Sequence, residues 1–89
     1  MLAPSEALGK ARIYLGEVIP DFAALEPKVE EMVLTPDSSI WNITFYARSG
    51  NNPKPTTVAD IFANPRIEKV VAVSANDGTL IAVRNPPSF

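Results

Sequence analysis

The chain has 89 residues, 46% of them apolar, nine prolines and a formal net charge of −2. It has no cysteine and no histidine. These absences exclude disulfides, thiolate nucleophiles and sulfur metal sites, and remove both the usual general base near neutral pH and the commonest metal ligand.

Acids dominate residues 1–37, where Glu6, Glu17, Asp21, Glu26, Glu30, Glu31 and Asp37 face only Lys10, Arg12 and Lys28. Bases are in mild excess beyond, without the Lys/Arg clustering that nucleic-acid binding requires. No run approaches the length of a membrane span, and no charged–apolar–small pattern marks a signal peptide. The expectation is one soluble domain over residues 1–89, cytoplasmic by default and at the cell envelope if a signal has been removed.

Ser5 is the expected N-cap of a helix over residues 5–19. At 100° per residue, Leu8, Ala11, Leu15, Val18, Ile19 and Phe22 form one apolar stripe, with Glu6, Lys10, Glu17 and Asp21 on the other side. Glu6 and Lys10 have the i,i+4 spacing of a favourable ion pair. Pro20 cannot continue the helix without losing a backbone bond, so it ends that helix and opens a short turn over residues 20–25. Gly9 and Gly16 lie between the two faces and are read as residues that simply weaken the helix. The sharper alternative is a smooth flank for another backbone.

A strand is expected at about 29–35, although its alternation is poor: Val29 and Val33 share one face, Met32 and Leu34 the other. Pro36, Asp37, Ser38 and Ser39 form the turn. The strand at 40–48 is clear. Trp41, Ile43, Phe45 and Ala47 point one way, while Asn42, Thr44, Tyr46 and Arg48 point the other. Residues 49–57 (SGNNPKPTT) read as a flexible polar loop, and Val58–Phe62 as one helical turn stopped by Asn64-Pro65. Strands at 67–74 and 79–84 then flank Asn76, Asp77 and Gly78, a turn in which glycine supplies the positive φ. Residues 85–89 form a tail.

One apolar helical stripe and four antiparallel strands predict an α+β domain, with one N-terminal helix packed on one face of a four-stranded antiparallel sheet. Trp41, Ile43 and Phe45 would meet Leu8, Leu15, Ile19 and Phe22. The other face stays uncovered. If Val71 and Val73 pack under the helix, Val70 and Ala72 lie open beside Tyr46, leaving a half-apolar contact surface.

Three stretches carry a family resemblance: the helix with Ala7 and Ala11 running into Pro20; Val29–Leu34 followed by Trp41–Phe45; and Val70–Val73 with Asn76–Leu80 as a closing hairpin. Together they span roughly residues 5–84, and the chain resembles a PepSY-like domain of the cystatin-like α+β group. It departs from that pattern in residues 49–66, which are longer and richer in proline than a simple strand connection. The resemblance implies a non-enzymatic domain, often attached to or acting on proteases or found at the cell envelope. It supplies no catalytic residues.

Glu30 and Glu31 are adjacent in a strand, so they are expected on opposite faces and not as a catalytic pair. Asp77 reads as a turn residue rather than a metal ligand, and Trp41 as core rather than a stacking platform. The Asn42-Ile43-Thr44 sequon lies within a strand and is discounted. No catalytic, cofactor or metal residue is assigned. The candidate protein-binding residues are Asn42, Thr44, Tyr46 and Arg48, since aromatic and Arg side chains are enriched at hot spots; plain surface decoration is the competing reading. The leading expectation is a non-catalytic protein-binding or regulatory module that uses the uncovered face, with a protein partner or by self-association as a homodimer. The alternatives are a small-molecule-binding or enzymatic cystatin-like domain with a pocket between helix and sheet, and a protease inhibitor acting through loop 49–57.

Overall fold

The first helix begins at Pro4, one residue before the expected cap. In the computed structural model, which describes residues 1–48 and 66–86, α1 spans Pro4–Val18 with Ala3 as its N-cap. Proline suits the first helical position because its φ is preset and an N–H there would lack a helical partner. The Glu6 carboxylate accepts the Ala3 N–H at 3.2 Å. Glu6 therefore caps the helix instead of pairing with Lys10. Pro20 opens a second short helix, α2 (Pro20–Ala23), as its position predicts.

The inner line of α1 is Ala7, Ala11 and Leu15, all buried. Val18, expected on the apolar stripe, is 51% exposed. It is the last residue of α1, and the chain turns after it. Ile19 and Phe22 reach the core through α2 and not by continuing the stripe. The two alanines let α1 lie close to the sheet. Among the described residues nothing lies within 4 Å of where a Cβ on Gly9 or Gly16 would sit, so the smooth-flank alternative has no neighbour there to serve.

The strands are β1 (Lys28–Leu34), β2 (Ile40–Arg48), β3 (Arg66–Ser74) and β4 (Leu80–Arg84). They form an antiparallel sheet in the order β1-β2-β3-β4. With α1 on one face, this is the predicted α+β arrangement. Ile43, Phe45, Val71 and Val73 are fully buried beneath the helix beside Leu15 and Phe22, and Trp41 packs at the margin of that cluster. The Trp41 indole N–H reaches the Leu2 carbonyl at 3.4 Å.

Both edge strands carry a bulge. In β1 the register shifts between Val29 and Glu31. Val29 and Met32 both reach the core, so Glu30 and Glu31 lie together on the bare side. This extra residue explains the poor alternation of residues 29–34 and overturns the expectation that the two glutamates face apart. In β4 the register shifts opposite Ala72 and Val73. Leu80 and Val83 face the core, leaving Ile81 and Ala82 on the bare side. Bulges at both edges twist the strands away from further ladder pairing.

The two hairpin turns are stitched by carboxylates. Asp37 accepts the Thr35 hydroxyl and the Ser39 hydroxyl, each at 2.6 Å, and the Ser39 N–H at 3.1 Å. Asp77 accepts the Thr79 N–H at 3.0 Å and its hydroxyl, which makes it the turn residue expected. Gly78 has φ +77°, and a Cβ there would lie 2.9 Å from Leu2 Cδ1. The Tyr14 hydroxyl donates to the Gly78 carbonyl at 2.8 Å, tying α1 to this turn. The expected loop 49–57, the helical turn 58–62 and the last residues of the tail fall outside the described residues.

Candidate functional site

Among the described residues no element covers the sheet face opposite α1, which is built in rows fixed by strand register. One row runs Glu31, Thr44, Val70, Arg84; the next runs Val33, Asn42, Ala72, Ala82. Below them lie Lys28, Tyr46 and Glu68, then Arg48 and Arg66. Asn42, Thr44, Tyr46 and Arg48 therefore share the bare face, as the alternation of β2 predicts.

Two guanidinium groups span this face. Arg84 in β4 donates from Nη2 to Asn42 Oδ1 in β2 at 3.0 Å, crossing the intervening β3. Arg66 in β3 forms an ion pair with Glu30 in β1, crossing β2. Its Cζ lies 4.2 Å from the Tyr46 ring centroid, and its Nε pairs with Glu68 at 3.0 Å. A guanidinium suits this position because its flat face stacks on the ring while its edge binds carboxylates.

These crossings correct the expectation of a half-apolar open surface. Val71 and Val73 do pack under the helix, yet Val70 is only 7% exposed and Ala72 only 1%. Asn42, Thr44 and the long Arg84 side chain flank them and carry the polar surface above β3. The exposed apolar groups sit on the edge strands, Val33 at 45% and Ile81 at 50%.

Arg66 bridges Glu30 and Glu68 and brings their carboxyls into contact with each other. That contact, with Arg66 adding to it, holds Glu30 below the ordinary glutamate range. The same contact, together with desolvation, pushes Glu68 above it. The Glu31 side chain has no hydrogen bond or ion pair among the described residues.

The space between helix and sheet is occupied by Leu15, Phe22, Ile43 and Phe45. A depression of about 330 Å³ opens to solvent beside Arg12, Leu15, Ala23, Glu26 and Pro27. Arg12 crosses it, donating to the Pro27 carbonyl at 3.0 Å with its Cζ 5.4 Å from the Phe45 centroid. A second, of about 280 Å³, lies between Val18, Ile19, Lys69 and Val83. Among the described residues no group of three or more acidic side chains is placed to hold a metal ion, and no helix is long and apolar enough to cross a membrane.

Sequence reasoning did not assign Glu30, Arg66 or Glu68 to this face. Their signals were the period of two that links Arg66 and Glu68, and the broken alternation of β1. Neither reveals a partner without the strand register.

Comparison with protein-family models, with curated proteins and with solved structures finds no match to this chain.

Proposed function

We propose that this protein is a non-catalytic protein-binding or regulatory module that engages its partner through the bare sheet face. The observation that carries this reading is a four-stranded surface that none of the described residues covers, on which Tyr46, Arg66 and Arg84 are held in fixed positions by cross-strand contacts. Prepositioned aromatic and Arg side chains lose little conformational freedom on binding. Glu30 and Glu68 pair with Arg66 on an exposed surface, a setting that suits recognition better than acid–base catalysis. The two edge bulges favour contact through the face over addition of a strand at an edge. The PepSY-like relationship belongs to the same proposal and rests on the resemblance of the sequence alone.

Thr44 lies at the centre of the face. Thr44→Arg projects a long cation from that position without touching the core. The test is recovery and purification of an interacting protein with the wild-type chain, then its titration against wild type and Thr44→Arg by calorimetry. Loss of binding at unchanged melting temperature is the expected result. Equal affinity would show that the face is not used.

A further inference from the structure

The bare face has a charge pattern that is complementary to itself. Its central row places the acid Glu31 on edge strand β1 and the base Arg84 on edge strand β4, with Thr44 and Val70 between them. The next row places exposed Val33 on β1 and Ala82 on β4, with exposed Ile81 beside Ala82. Of these two rows, one is oppositely charged at its ends and the other is apolar at both.

We propose that the occupant of this face is a second copy of the chain, stacked sheet on sheet about a two-fold axis that runs parallel to the strands between β2 and β3. Rotation about that axis lays β1 of one copy over β4 of the other and superposes every row on its own reverse. Glu31 of each copy then meets Arg84 of the other, and Val33 meets Ile81. The alternative two-fold, perpendicular to the strands, lays β1 on β1 and β4 on β4. With its axis on the central row it sets Glu31 against Glu31 and Arg84 against Arg84, so at that row charge favours the first arrangement. Strands aligned in this way match the common packing of two sheets.

Within each copy Arg84 gives one nitrogen to Asn42, leaving other N–H groups for a carboxylate, and Glu31 has no competing partner among the described residues. The end row brings Arg48 near Arg66 of the other copy, but Arg66 is already balanced by Glu30 and Glu68 and drawn toward β1 over Tyr46. The face measures on the order of 500 Å² from strand spacing and rise, which puts the pair at the small end of specific interfaces. A reversible dimer that dissociates on dilution follows. This inference names the partner for the surface proposed above and rests on that reading.

The experiment is sedimentation equilibrium of the full chain, extended to about 1 mM, the weak end of specific association. Wild type is expected to show a monomer–dimer equilibrium that weakens at high salt, because exposed charges are screened. Glu31→Arg and Arg84→Glu each set like charges against each other twice in the symmetric pair and are expected to weaken it at least about tenfold. Mixing these two variants restores both attractive contacts and should give a 1:1 heterodimer. Glu31→Arg removes no bond within its own chain, so it carries the test if Arg84→Glu does not fold, a point checked by circular dichroism. A wild type that stays monomeric, a Glu31→Arg chain that dimerises normally, or folded variants that do not associate on mixing would each overturn the inference. A monomeric wild type would leave the partner titration with Thr44→Arg standing as a separate test of the face.

Discussion

Arg84 Nη2 lies 3.0 Å from Asn42 Oδ1, although the two residues sit on strands that are not neighbours. The bond crosses β3 at Val70 and Ala72, the register partners of Arg84 and Asn42. It joins β4 to the sheet by a path other than the ladder and helps to keep two apolar residues of the uncovered face from water. Because the bond is exposed, its worth is modest. A double-mutant cycle of Arg84→Ala and Asn42→Ala should give a coupling of about 0.5–1 kcal/mol by urea denaturation. Arg84→Met, which keeps the length of the stem, should retain more stability than Arg84→Ala. A coupling near zero would mean that the side chains do not hold each other in solution.

Much of the sheet was legible because β2 alternates without interruption. Its bounds, 40–48, are those read from the pattern, and its alternation placed Asn42, Thr44, Tyr46 and Arg48 on one face. β1 resisted the same reading because a bulge at Glu30 breaks a period of two, and a fixed period cannot represent an inserted residue. The partners of Tyr46 were hidden for a different reason. Arg66 and Glu30 are 36 residues apart, and only pairing of β1, β2 and β3 brings them together. Periodicity assigns a residue to a face, whereas a contact across strands also requires register.

The helix offers a clean contrast between glycines. Gly9 and Gly16 lie inside α1 with no described residue against them, so replacing either with Ala should raise stability by up to about 1 kcal/mol. Gly78→Ala should do the opposite, because φ there is +77° and the added Cβ meets Leu2 and Lys10. Denaturation midpoints of the three variants should rise, rise and fall. A drop for Gly9→Ala would reveal a neighbour on the outer side of α1.

Ala11 measures how tightly α1 is seated. It is fully buried, in line with Ala7 and Leu15 against the sheet. Ala11→Leu adds three carbons where the helix lies close to the strands, so the helix must lift or neighbouring side chains must leave their rotamers. Destabilisation of about 1–3 kcal/mol is expected by urea denaturation, despite the gain in apolar volume. Ala11→Ser tests polarity at nearly constant size. A stable Ala11→Leu chain would mean that the space under α1 is looser than the burial of Leu15 and Phe45 indicates.

Acid should loosen the first hairpin before it reaches the core. The hydroxyl of Ser39, then that of Thr35, then the Ser39 N–H donate to Asp37 and hold its carboxyl at about 2, below its ordinary 3.8. A carboxylate depressed by folding contributes stability above its unfolded value and loses it as pH falls through the folded one. The contribution of Asp37 should therefore be complete above about pH 4 and disappear toward pH 2. Asp37→Asn removes the charge and with it this dependence. Melting temperatures of both chains, followed between pH 6 and pH 2, should start apart with wild type higher and converge over the lower half of that range. Asp77, held low by the Thr79 hydroxyl and N–H, and Glu30 titrate in the same direction but are common to both chains, so they cancel in the difference. A gap that stayed constant down to pH 2 would show that the three hydrogen bonds at Asp37 do not favour its charged form.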